Sequence, residues 1–295
     1  MNRFLLEKPV PMKGPERAAP ARIHPTAGSP EQWLEGCTVT FDFFVDWSCG
    51  RVQPDLWLKR LIQPGVNRTP PALPELLDAL RRVDGDLERY RRFALNHGFS
   101  PSCILFDDTQ DWNDENALLY RLELLPHGEE LISLTLGQIK QEINRLSGGT
   151  VRIGSKGLKI STSRLESALA CTSSLWPGDA DGILLKKGTD EPLAVLEYRK
   201  HTLSGSPTSV KRYYDSGADK RKYDRICLLR DRISPRIPVV VITYPIRAEE
   251  SDVLFEKIQA GVSRRQLTVE DSRHCMLEAG KMDISRFKHT LNSLL

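Results

Sequence analysis

At 295 residues, 40% apolar and 27% charged, the chain has the make-up of a globular protein and the length for two modest domains, each with its own core. A net charge of +3 does not by itself point to nucleic acid, and six scattered cysteines, with no C-x-x-C pair and no histidine at ligand spacing, exclude a zinc ribbon and a disulfide framework. No stretch approaches the roughly 18 apolar residues of a membrane helix. Phe4-Leu5-Leu6 is far too short for a signal peptide, so a cytoplasmic protein without membrane contact is expected.

Residues 1–35 carry six prolines among Ala, Gly and Arg, and a disordered, Pro-rich leader is expected there because so little apolar area is available to bury. Val39, Phe41, Phe43, Val45 and Trp47 then alternate with polar neighbours, the period of a half-buried strand. Residues 55–61 read as a helix, 64–74 as a loop and 75–82 as a short helix; Asp84 is placed to cap a helix that runs to Asn96 and closes at Gly98. A strand at 102–106 and helices at 113–125 and 136–146 complete a smaller N-terminal α+β domain over 36–147, in which no catalytic motif stands out and through which a protein partner could bind. Asp107, Asp108, Asp111 and Asp114 lack the mid-loop Gly and final Glu of an EF-hand and read as solvated loop acids. Arg89, Arg91 and Arg92 read as a solvated basic face.

Ser147-Gly148-Gly149 breaks the chain and opens a second domain, 148–295. Residues 149–156 end in Gly154-Ser155-Lys156, the wrong order for a phosphate loop, whose Gly-Lys-Ser/Thr must open a helix; a strand is expected at 150–153 instead. Ser163-Arg164-Leu165-Glu166 forms a capping box at the start of a helix over 164–170. Two short apolar runs follow, 178–185 and 192–200, joined by the polar stretch Lys186-Lys187-Gly188-Thr189-Asp190-Glu191, and they read as a hairpin. Past a Gly/Ser/Pro loop at 201–208, a helix is expected over 209–229, a strand buried on both faces at 238–244, a helix at 248–260, an edge strand at 276–278 and a closing helix at 284–294. There is no Gly-x-Ser-x-Gly, and the six histidines are dispersed, which gives no support to a serine hydrolase.

Chemistry concentrates in the hairpin and the helix after it. Paired antiparallel, the two strands bring Asp181 (or Asp179 in its place) and Glu197 to one end of a sheet, and two carboxylates beside cations suit a hard divalent metal and an anionic substrate. From Arg199 to Arg232 there are ten Lys or Arg against four Asp, a local excess that the whole-chain charge conceals. Tyr213, Tyr214 and Tyr223 are interleaved with these cations, a pattern suited to a phosphate backbone.

The order of a helix with an acid, a hairpin with Asp and then Glu-x-cation, a basic helix and a buried strand resembles the PD-(D/E)XK nuclease superfamily over roughly residues 150–245. The resemblance implies an α/β, restriction-endonuclease-like core with a mixed central sheet flanked by helices. It also implies a Mg²⁺-dependent (Mn²⁺ possible) deoxyribonuclease that leaves a 5′-phosphate and a 3′-hydroxyl, with a role in bacterial defence or DNA processing as one setting for it. On this mapping Glu166, Asp181 and Glu197 are the metal ligands, helped by the Tyr198 carbonyl. Asp181, Glu197, Arg199 and Lys200 are the catalytic set, and Lys211, Arg212, Tyr214, Lys220, Arg221 and Lys222 contact DNA in preference to RNA. The sequence departs from the family at Arg199, where the motif has Lys: a guanidinium keeps its proton and steadies phosphate charge but is no base. Lys200 points to the opposite strand face unless a bulge turns it, and Lys220 or Lys222 could supply the ammonium instead. The competing readings are a nuclease scaffold without chemistry, serving as a nucleic-acid-binding or assembly module, and a protein-interaction component.

Overall fold

The computed structural model describes residues 4–9, 12–13, 34, 36–63, 70, 72–85, 87–151, 160–217, 219–245, 250–260, 266–276 and 283–295. The chain forms two compact units, Met1–Ala19 with Phe41–Asp179 and Pro20–Thr40 with Ala180–Leu295. Residues 148–179, grouped above with the second domain, therefore belong to the first unit.

In the first unit, β1 (Leu6–Glu7) and β2 (Met12–Lys13) precede an antiparallel pair, β3 (Thr38–Asp46) and β4 (Arg51–Ile62). Helices α1 (Leu73–Val83) and α2 (Leu87–Asn96) lead to β5 (Ser100–Phe106), which lies parallel to β4. Strands β6 (Leu118–Leu125) and β7 (Gly128–Thr135) extend the sheet antiparallel, and α3 (Leu136–Leu146) closes it. β8 (Ile160–Ser161) pairs with β2, and α4 (Arg164–Ala170) follows. Side-chain alternation sends Phe41 against Tyr90 and Phe93 of α2, while Phe44 and Trp57 meet Ile139 and Ile143 of α3 and Leu165 and Leu169 of α4.

The second unit repeats that plan. β9 (Gly178–Leu185) and β10 (Pro192–His201) pair antiparallel, α5 (Val210–Asp215) and α6 (Lys220–Ile233) cross over, and β11 (Val239–Pro245) lies parallel to β10. β12 (Asp252–Gln259) and β13 (Thr268–Met276) add on antiparallel, and α7 (Ile284–Asn292) closes. Leu196, Val240, Ile242 and Phe255 pack on Phe287 and Leu291 of α7. Both units are α/β, with a mixed sheet flanked by helices.

Four expected elements are corrected. Residues 55–61 are the middle of β4: covered on both faces, the strand shows no alternation, and its bulged pairing with β3 accommodates Pro54. Residues 113–125 and 248–260, rich in Leu, Glu and other good helix formers, hold β6 and β12, because pairing on both sides outweighs propensity. The expected helix over 209–229 is two, interrupted at Gly217, whose φ of 79° suits the left-handed region that ends a helix.

Smaller differences follow from tertiary contacts. Asp84 ends α1 and does not cap α2; its carboxylate takes the Arg60 guanidinium at 2.5 and 2.6 Å. The described part of the leader is structured, with Leu6–Glu7 paired to Ile62 and Leu61 and with Phe4 and Leu6 buried. The edge strand ends at Met276, and 277–278 lie outside the described residues, as do 152–153 of the strand expected at 150–153; Val151 makes one parallel bridge to Ser174.

Candidate functional site

Position along β9 and β10 decides what each side chain can reach. The pairs Val195↔Ile183 and Leu196↔Gly182 put Asp181 opposite Glu197 one step further on, where the Asp181 carboxylate accepts a hydrogen bond from Tyr198 N at 2.6 Å. Glu197 is 2% exposed, yet its carboxylate is paired with the ammonium of Lys222 in the first turn of α6. What burial takes from the Lys222 pKa, the Glu197 and Asp181 carboxylates more than restore, so its ammonium holds its proton above the ordinary lysine value. Neighbouring Tyr223 is fully buried, and burial raises its hydroxyl pKa against the pull of Lys222 and Arg199.

The structure thus brings together an Asp, a Glu and a Lys, the last from a helix. Arg199, the strand residue at the motif position, is otherwise engaged: it donates to Thr208 O at 3.0 Å, and its guanidinium lies 3.6 Å over the Tyr213 ring. Lys200 alternates to the face of β10 opposite Glu197.

The residues expected to contact DNA divide in two. Arg212 and Arg221 are exposed, and the Arg221 pKa is lowered by partial burial and by Arg225 one turn on. Tyr214, by contrast, is 1% exposed and donates to Asp224 at 2.8 Å, while Lys220 spans Tyr214 Oη at 2.6 Å and Asp224 at 2.9 Å. These two staple α5 to α6. Lys211 bonds Leu267 O at 3.1 Å and pairs with Asp215 at 3.3 Å, and Lys222 is taken by Glu197.

Glu166 belongs to the first unit, in a polar cluster that sequence reading missed. Its carboxylate accepts from Thr162 N at 2.7 Å and Thr162 Oγ1 at 2.8 Å, so Ser163 caps α4 without the reciprocal half of the box. The Lys59 ammonium of β4 lies among Thr162 Oγ1 at 3.1 Å, Asp42 Oδ2 at 3.6 Å and Glu166 Oε2 at 3.7 Å, with the Trp176 ring 5.2 Å away. Trp176 Nε1 donates to Asp42 at 3.0 Å. Burial pushes the Asp42 carboxyl up to about 6, further raised by Asp179 and Glu166 and opposed by Lys59 and Trp176. Burial alone would depress Lys59; Asp42, Glu166 and Asp179 reverse that and raise it. The advance signal was Lys59-Arg60 after the apolar Leu56-Trp57-Leu58, and taking that run for a helix hid which face Lys59 occupies.

Among the described residues no three His, Cys, Asp or Glu side chains group closely enough to hold a metal ion. Asp181 and Glu197 nevertheless supply two hard oxygen donors, and Mg²⁺ is commonly held by one or two carboxylates with water and substrate phosphate completing its shell. The pair therefore fits a magnesium ion of that kind, without Glu166. No family model matches the chain, and no curated protein or solved structure matches it.

Proposed function

We propose that the second unit is a metal-dependent phosphodiesterase acting on DNA, with Asp181, Glu197 and Lys222 at its centre. One observation carries the reading: a buried Glu on β10 is joined to a helix-borne ammonium that also feels the Asp of β9. Asp181 and Glu197 would hold Mg²⁺ or Mn²⁺, which when bound supplies Lewis acidity and a more acidic coordinated water. Lys222 holds a positive charge where negative charge develops on a phosphate, the part assigned by sequence to Arg199 or Lys200. Arg212 and Arg221 are exposed cations that suit a phosphate backbone, and the hairpin, crossover helices and parallel strand are the topology that the nuclease resemblance implies.

The test is cleavage of supercoiled and linear DNA with Mg²⁺, Mn²⁺ or EDTA by the full chain and by Asp181→Ala, Glu197→Ala and Lys222→Met. Metal-dependent nicking lost in all three, with folding retained, is the expected result; nicking that survives Asp181→Ala and Glu197→Ala overturns the assignment. A second reading, a binding module on a nuclease-like scaffold, is favoured by the neutralisation of Glu197 by Lys222 and the commitment of Arg199 to Thr208 and Tyr213. Folded protein that binds DNA and leaves it intact under every metal would decide for that reading.

A further inference from the structure

β13 is the last strand of the second unit's sheet, and among the described residues no strand pairs with its outer edge. Register decides which of its backbone groups face outward. Val195 N donates to Pro238 O at 3.0 Å, so the even-numbered residues of β11 turn their N–H and C=O toward β10 and the odd-numbered ones toward β12. Counted on through the pairs of β11 with β12 and of β12 with β13, Asp271, Arg273 and Cys275 bond inward, and Ser272, His274 and Met276 turn their backbone away from the sheet. Ser272 N agrees: it donates sideways, to the Asp271 carboxylate at 2.7 Å, and not into the ladder. Glu270, Ser272, Arg273, His274 and Met276 are also exposed. An edge of this kind accepts a further strand.

The charges along it select the strand. About Ser272 the chain reads Glu270-Asp271-Ser272-Arg273-His274, two acids on one side and Arg and His at the mirrored positions on the other. Two copies of β13 laid antiparallel, with Ser272 opposite Ser272, bring Asp271 of each chain opposite Arg273 of the other and Glu270 opposite His274. Because Asp271 and Arg273 bond inward, they meet across the join as a non-hydrogen-bonded pair, the kind whose side chains stand closer. Lys257 of β12 already lies beside Asp271, so signs alternate through the join, from Lys257 to Asp271 to Arg273 of the second copy. Centring the pairing on Arg273 would oppose two guanidiniums, and centring it on His274 would set Arg273 against Cys275. The β-bulge that leaves Glu270 without a partner on β12 keeps the regular ladder short, which leaves the register to the charges. We propose that the edge of β13 is a self-association surface, where a second copy of this chain pairs antiparallel about Ser272. The inference stands apart from the phosphodiesterase reading, since none of the residues assigned to that centre lies on β13.

The test is sedimentation equilibrium of the full chain over a range of concentrations, beside Asp271→Arg, Arg273→Asp, an equimolar mixture of those two variants, and Ser272→Pro. The unsubstituted chain is expected to dimerise. Each charge reversal sets like charges across the join twice and should weaken the dimer at least about tenfold. In the mixture one strand is basic and the other acidic at both positions, so a heterodimer should form, and its formation also shows that both variants are folded. Ser272→Pro removes an N–H that β12 does not use, and should abolish association while leaving the urea midpoint unchanged. A monomer at every concentration, a dimer indifferent to both reversals, or variants that stay apart when mixed overturns the proposal; a cleavage assay that fails bears only on Asp181, Glu197 and Lys222.

Discussion

The two units share one plan and place the Lys59 cluster of the first and the Glu197 centre of the second on opposite faces of it. In the first, the crossover helix α2 covers Phe41, and Lys59 with Asp42 lies on the other face, beside Trp57, Trp176 and Glu166. In the second, α7 covers the apolar face, and Glu197 lies under the crossover helices. A one-residue change in strand parity is enough for that exchange, because neighbouring side chains of a strand point to opposite sides. The lysines differ accordingly. Lys59 is 11% exposed and enclosed by three oxygens, whereas Lys222 is 40% exposed and reaches Glu197 from a helix. A closed ion cluster holds elements together; a centre whose cation remains open to solvent can also meet a substrate.

The largest effect expected is on stability in the first unit, whose crossover face holds a closed ion pair where the second unit holds Glu197. Arg60 and Asp84 are 8% and 7% exposed and joined by two hydrogen bonds of 2.5 and 2.6 Å. Asp84→Ala strands a buried guanidinium and should cost about 3–5 kcal/mol. Hydrogen exchange followed by peptide should quicken across β4, α1 and β5 while β10 and β11 keep their protection. Equal loss in both units would show that they do not unfold separately, and the comparison would then describe faces of one cooperative body.

Next in size is the response of the Asp42 cluster to pH. Its carboxyl is raised from the ordinary 3.8 to about 6, so the folded protein holds this proton more tightly than the unfolded chain. The stability this contributes is full below about pH 4 and is lost as pH rises through about 6, a change on the order of 3 kcal/mol. Asp42→Asn removes the titration and keeps an acceptor for Trp176. The urea midpoint of the unsubstituted protein, read by tryptophan fluorescence, should therefore fall relative to that of Asp42→Asn as pH rises from 4 to 7. A constant difference would mean that Lys59 keeps Asp42 ionised throughout, and the cluster would be an ordinary ion pair.

How much of this was visible beforehand depended on the range of the interaction. The strand at Thr38–Asp46, the hairpin, the buried run Val239–Pro245, and helices α3 and α4 follow from local pattern, and the structure has them. Strands β4, β6 and β12 did not follow, because Leu118–Leu125 and Asp252–Gln259 have helical composition and are strands only through their neighbours. At the candidate site, Asp181 and Glu197 were legible from the order of motifs, and Lys222 was one of two lysines named as the replacement ammonium. The fate of Glu166 was not legible, since it turns on Lys59, which also bonds Thr162, 103 residues away in the chain. Tyr214 and Lys220 looked like backbone contacts because an exposed and a stapled helix face have the same composition; only the position of Asp224 tells them apart.

The smallest expected effect bears most directly on where the cation of the second unit sits. If position 199 were the place for a catalytic ammonium, Arg199→Lys would repair the motif and raise cleavage. The guanidinium there is flat against Tyr213 at 3.6 Å and donates to Thr208 O, two contacts that need a plane and a fork, and a lysine provides neither. Arg199→Lys should thus lower stability by about 1 kcal/mol, seen as a small drop in the denaturant midpoint, and leave DNA cleavage no faster. The double variant Arg199→Lys, Lys222→Met decides the matter: with Glu197 still in place, cleavage restored over Lys222→Met alone would return the cation to the strand and make Lys222 a structural counter-ion. Cleavage that stays lost means the helix-borne ammonium has no substitute on β10, because residue 199 lies against the crossover helices in a contact that its chemistry already fills.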